Sequence, residues 1–325
     1  MKGKKLRFSE IIRRYAKNLL FLSFILLTVW FLHRNQEKFY ALRDVAAADI
    51  IVLSGCTFFT FLIMSFQFKI LMGIFDIRLK VAEWFGLTMV NSMINYYMPA
   101  RAGIIARAYY LKNRYGFSYS SYLCLLAGSY IIIYLISSFM ALGITVLYYL
   151  SSRVFLNTIF YIAMILVIIT IISFIIVLKI KPEKINICSQ RFSAILRNAI
   201  SGFSYFHSNL KSVLIVTVLY IIFIIASALR LYWAFRILDI QPDFMVIIII
   251  QSLVVFSMFI SITPGNLFLK EGIIGLLATT SSITLPEALL AASIDRLISI
   301  LVVFVFGLAY SKYLLKGIDI KIQGS

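Results

Sequence analysis

Histidine is nearly missing from this chain of 325 residues, which holds only His33 and His207. Its three cysteines, Cys56, Cys124 and Cys188, stand far apart with no C-x-x-C spacing. Too few nitrogen and sulfur ligands are grouped anywhere to hold zinc, and no redox pair exists, so the cysteines read as small apolar residues. No glycine-rich nucleotide loop is present either. No catalytic residue set, metal or cofactor is expected. Charge is scarce: Asp, Glu, Lys and Arg make up 14% of residues, against 62% hydrophobic. A soluble domain needs a polar exterior that this composition cannot supply, which excludes a soluble catalytic domain.

What the chain does have is long apolar runs. They cover about 16–32, 50–75, 121–150, 155–180, 212–238 and 287–311. Each is long enough to cross roughly 30 Å of hydrocarbon as a helix. The first follows a basic stretch, as a signal peptide would. His33-Arg34-Asn35-Gln36 offers no small-residue cleavage site, so it reads as an uncleaved span. The expected fold class is therefore all-α, a single polytopic membrane domain over 1–325.

Two further apolar segments, 81–98 and 244–262, run into breaks. The first break is Pro99-Ala100-Arg101-Ala102-Gly103 and the second is Thr263-Pro264-Gly265-Asn266. Ser92-Met93 lies seven residues before Pro99, and Ser257-Met258 lies seven before Pro264. Gly103-Ile104-Ile105 has a counterpart in Gly272-Ile273-Ile274, four residues out of register.

The net charge is +18, and the bases sit between apolar runs. No polar domain carries them, so the expected partner is anionic lipid at cytoplasmic loops and not nucleic acid. Residues 99–120 hold four bases and no acid, and 179–211 hold six bases and one acid. Residues 239–243 hold two acids and no base. Both basic loops stay inside only if 81–115 and 244–285 are re-entrant hairpins. The expected plan is then six full spans plus two broken-helix hairpins. Halves 1–150 and 151–325 would form an inverted-topology repeat, with both termini on the cytoplasmic side of the cell membrane. Eight simple spans are the alternative, and that plan breaks the charge rule at 99–120. Residues 185–210 carry an apolar stripe at helical spacing, read either as an interfacial amphipathic helix or as a connecting helix packed on protein.

Ionisable groups at membrane depth are costly and face a cavity or a partner. The candidate substrate-binding residues are Asn91, Asn95, Pro99, Arg101, Gly103, Arg107, Pro264, Gly265, Lys270, Glu271, Asp295 and Arg296. A helix restarting after a break presents free N–H groups to an anion, and guanidinium suits phosphate. Structural roles stay open beside these. Arg101 and Arg107 also read as positive-inside anchors, and Asn91 and Asn95 as interhelical glue. Lys270-Glu271 also reads as a local ion pair, and Asp295-Arg296 as a lock between the halves. Arg230 is a further charge in an apolar run. Tyr96 and Tyr97 read as interfacial aromatics.

The two breaks, with Arg107, Leu111 and Gly116 after the first and Lys270-Glu271-Gly272 and Arg296 after the second, resemble the lysylphosphatidylglycerol synthase transmembrane-region family. That is the flippase-like domain of multiple peptide resistance factor, which also occurs in stand-alone form. Two features depart from the family pattern: Leu126-Ala127-Gly128-Ser129 stands where many members carry a Glu-Arg pair, and Asn266-Leu267-Phe268 where a further glycine is common. The resemblance implies a transporter or flippase-like protein for an anionic phospholipid or lipid-linked substrate. The alternatives are a transferase acting on a lipid headgroup, with Glu271 or Asp295 as base, and a non-catalytic partner of a separate membrane or soluble transferase.

Overall fold

A computed structural model describes residues 46–99, 101–179, 206, 209–259 and 263–322. The expected span at 16–32 lies outside them, as does the 185–210 segment apart from Phe206, Asn209 and Leu210. Among the described residues every regular element is helical. In chain order they are α1 (Ala47–Gly73), α2 (Val81–Tyr97), α3 (Ala102–Tyr115), α4 (Tyr119–Ser152) and α5 (Asn157–Lys179). Then follow α6 (Leu210–Arg236), α7 (Phe244–Val254), α8 (Leu269–Ala278) and α9 (Leu285–Ile322).

Five of these, α1, α4, α5, α6 and α9, are long and apolar enough to cross a membrane. Helices α2 and α7, with 17 and 11 residues, fall short of the roughly 20 that a span needs. Each is followed across a break by a second short helix, α3 with 14 residues and α8 with 10.

The lipid-facing surface is clearest on α5. Ile159, Ala163, Val167 and Thr170 are buried at helical spacing, while Tyr161, Ile165, Ile168, Ile172 and Ile176 are exposed. A helix with one packed stripe and an apolar remainder suits contact with lipid chains. Ser138 of α4 and Thr170 of α5 bond at 3.0 Å within that seam. Several buried hydroxyls return to their own helix, as with Thr57 to Leu53 O and Ser65 to Phe61 O, both at 2.7 Å. With no water in hydrocarbon, a hydroxyl gains by bonding within its own helix.

Helix packing places the two breaks near one another. Helix α2 lies along α9, α7 lies along α4, and α1 lies along α6. Glycines open the α2–α9 seam from both sides. A Cβ on Gly86 would come within 2.9 Å of Tyr310, and one on Gly307 within 2.9 Å of Met93. Aromatic rings of Phe58, Phe85 and Phe306 then fill the space between α1, α2 and α9.

Candidate functional site

The first break begins where α2 ends, with Met98 N–H bonding Ile94 O at 2.8 Å. Proline at 99 favours extended backbone at the preceding residue, which stops the helix. Arg101 then adopts a left-handed conformation, φ +53°, and α3 starts. Asn95 Oδ1 accepts from Gly103 N–H at 2.9 Å and so satisfies one of the orphan donors of the new helix. Only glycine fits at 103, because a Cβ would sit 2.1 Å from the backbone oxygen of Asn91. From this turn Arg101 reaches the Tyr130 hydroxyl on α4. One turn further along α3, the Arg107 guanidinium lies 4.2 Å over the Phe68 ring of α1. Its Nη2 donates to Leu87 O at 3.4 Å, and its buried Nε has no partner.

The second break is built differently. Helix α7 tightens into a 3₁₀ turn over Val255–Phe259, and the chain is described again from Thr263. Gly265 and Asn266 are left-handed, with φ +58° and +54°, and Phe268, with φ +71°, precedes α8. Asn266 Nδ2 donates to Ser257 O at 3.0 Å, tying the break back to the 3₁₀ turn. Glu271 caps the start of α8 by accepting from Phe268 N–H at 2.8 Å. A Cβ on Gly265 would lie 2.7 Å from the Tyr96 ring, so this break meets α2.

Five charged side chains brace the second break. Arg296 pairs with Glu271 and donates to Gly265 O at 3.0 Å and Asn266 O at 3.3 Å. Asp295, fully buried, accepts from Arg230 through both oxygens and from Lys270 at 3.1 Å. Buried charges survive only when paired and hydrogen-bonded, and this cluster meets that condition.

Between the breaks lies a cavity of about 340 Å³. Six of the expected site residues line it: Asn91, Asn95, Arg101, Arg107, Gly265 and Lys270. Glu271, Asp295 and Arg296 stand behind its wall, and Pro99, Gly103 and Pro264 shape the breaks without lining it. Two expectations change. Lys270 and Glu271 are not a local pair, because each bonds across to α9. Asp295 and Arg296 do not lock the halves together, since Arg230, Lys270 and Glu271 all belong to residues 151–325. Tyr96 packs inward and lines the cavity. The cavity also uses Gln67, Tyr122, Tyr130, Arg230 and Gln251, none of them in the expected set. Arg230 had stood out as an isolated charge. An amide in mid-span, Gln67 or Gln251, was an equally readable signal.

Apolar spans arranged around a polar, cation-lined hollow define a multi-pass helical membrane protein. Its family follows from the sequence: the chain belongs to the family described as lysylphosphatidylglycerol synthase TM region, whose model matches residues 18–307. No curated protein matches it.

Proposed function

We propose that this protein is a transporter or flippase-like protein that takes the anionic headgroup of a phospholipid or lipid-linked substrate into the cavity between its two breaks. The observation that carries this reading is the charge balance. Arg101, Arg107, Arg230 and Lys270 line the cavity, with Arg296 behind; Asp295 holds Arg230 and Lys270, and Glu271 holds Arg296. Arg107 has no carboxylate partner among the described residues, so its charge remains available to a ligand. A low-dielectric wall strengthens that attraction. The substrate-binding set proposed from sequence divides accordingly. Asn91, Asn95, Arg101, Arg107 and Gly265 face the headgroup, Lys270 lines the same cavity with its ammonium held by Asp295, and Pro99, Gly103, Pro264, Glu271, Asp295 and Arg296 hold the breaks in shape.

Packing supports the inverted-repeat plan as well. The short helix of each half lies on the long helix that ends the other half, α2 on α9 and α7 on α4. Helices α2 and α7 are shorter than the five long spans and are followed by second short helices, as re-entrant hairpins would be. In this reading the protein sits in the cytoplasmic membrane with both termini inside. Cysteine accessibility at 99–116 and 263–272, from each side of sealed vesicles, tests the topology. Labelling of 99–116 from outside alone would refute it.

The transferase reading gains no support from Glu271 or Asp295. Both carboxylates are held by cations and neither lines the cavity, so neither is placed as a general base. Translocation is tested by reconstitution with labelled phospholipids and polyprenyl-phosphate lipids. Rates above empty liposomes that fall in Arg107→Ala support the proposal. Rates equal to empty liposomes for every lipid class overturn it.

A further inference from the structure

The charges that brace the second break do not balance. Three are cations and two are carboxylates. Arg230 holds Asp295 through both carboxylate oxygens, and Arg296 holds Glu271. Lys270 is the surplus. Its ammonium lies 3.1 Å from the Asp295 oxygen that Arg230 already bonds at 3.2 Å. Lys270 is also the most open of the five, with 23% of its side chain exposed against 10% or less for the others, and it lines the cavity.

Resting on the reading of this cavity as an anion site, we infer that Lys270 is a proton-exchange site, taking up a proton when an anion enters the cavity and releasing it when the anion leaves. A surplus charge at membrane depth is costly, and two events remove the cost. An anion in the cavity balances the ammonium, or the ammonium sheds its proton. In the second event one N–H bond breaks, its electron pair stays on Nζ and the proton passes to water in the cavity. Arg230–Asp295 and Arg296–Glu271 then remain as two neutral pairs. Neither arginine can take this part, because a guanidinium keeps its proton. Both carboxylates stand behind the wall, and each balances an arginine. The charged groups facing Lys270 are Asp295 and Arg296 from α9, Arg230 from α6 and Glu271 from its own helix. Tyr96 of α2 lies among the same charges as a neutral phenol. Helix α7 and the 3₁₀ turn after it contain no titratable residue. Occupancy and protonation are therefore linked, each favouring the other by the same factor. A carrier built this way moves its anion together with a proton and draws on a proton gradient.

The test is titration calorimetry of the full chain in detergent, from about pH 6 to about pH 9.5, in buffers of different ionisation enthalpy. The probes are short-chain phosphatidylglycerol and phosphatidylinositol, phosphodiesters that do not themselves titrate over that range. The dependence of the apparent enthalpy on the buffer counts the protons taken up per lipid bound. The wild-type chain should take up a fraction of a proton, and its affinity should fall about fivefold from the acid to the alkaline side. That factor is the low end of coupling between sites, because Asp295 already holds the ammonium. Lys270→Arg keeps the charge and cannot release the proton, so it should lose the uptake and bind evenly across the range. Lys270→Met should lose the uptake as well and bind with the weaker, alkaline affinity throughout. Either variant alone decides the assignment. No uptake by the wild-type chain at any pH overturns the inference, and so does uptake that persists undiminished in either variant. Both results leave the anion site standing while Arg107→Ala still weakens binding. Binding of neither lipid, or binding that Arg107→Ala does not change, sinks the anion site and the proton linkage with it.

Discussion

At the first break, Arg101 turns left-handed and reaches a phenol, and Arg107 stacks on a ring. At the second, Arg296 bonds the carbonyls of the break itself while Glu271 holds its guanidinium. The sequence difference behind this is plain. Residues 99–120 contain four bases and no acid, whereas Lys270 is followed directly by Glu271 and Arg296 is preceded by Asp295. Carboxylates at the second break absorb the positive charge and spend it on rigidity. At the first, Arg107 meets a carbonyl and a ring and no carboxylate among the described residues. The two breaks share a proline and a left-handed turn, yet one is braced by ions and the other by close helix contact.

The contrast is broken most severely at Asp295. Asp295→Asn leaves Arg230 and Lys270 buried with no anion, which should cost about 3–5 kcal/mol of stability. A thermal unfolding midpoint unchanged from wild type would mean that the ion cluster does not brace the second break. Next is a pair of glycines that the sequence aligns, Gly103 and Gly272. Gly103→Ala puts a methyl group against the Asn91 backbone oxygen and should cost about 3 kcal/mol. Gly272 has nothing within 4 Å of an added Cβ, so Gly272→Ala should be neutral or stabilise α8 by about 0.5–1 kcal/mol. Similar unfolding midpoints for the two variants would contradict the close approach of α2 and α3.

Third comes the ligand side. Arg107→Ala should weaken anionic-lipid binding by about 2 kcal/mol, roughly 30-fold, with a smaller loss of stability from its packing on Phe68. Lys270→Ala should do the reverse, since its ammonium is already committed to Asp295. Equal losses of lipid binding in both variants would erase the division of labour between the breaks.

The sequence made the breaks readable because Pro99, Pro264 and the charges after them interrupt apolar runs, where such residues are expensive. The same logic brought Arg101, Arg107 and Lys270 into one set, and the structure places them around one cavity. The pairing of Asp295 was not readable. Arg230 lies 65 residues away, and its distance in sequence says nothing about which face of α6 meets α9. Gln67 and Gln251 carry no charge, so a set gathered on ionisable groups passes over them. In a membrane an amide is nonetheless a group that must find a partner. Glu83 escaped for another reason. It reads as an ordinary first-turn acid on α2, and the two phenols that bind it come from the end of α3.

That last cluster distinguishes the hairpins again, at their ends away from the breaks. Glu83 is 3% exposed and accepts from Lys80 N–H at 2.9 Å, Tyr115 OH at 2.5 Å and Tyr110 OH at 3.0 Å. Arg114 adds a cation at 3.9 Å. The start of α2 is thereby tied to the end of α3, so the first hairpin is fastened at both ends. Asp243, at the start of α7, accepts instead from Met245 N–H in its own helix at 2.8 Å. Tyr115→Phe removes one of the ties on Glu83 and leaves the others, so its cost should be small, about 1 kcal/mol. Hydrogen exchange should quicken in the last turn of α3 and stay unchanged around Pro264, because the loosened end belongs to the first hairpin alone. If exchange quickened equally in α8, the two helix pairs would be moving as one body, and their separate fastenings would not describe how each is held.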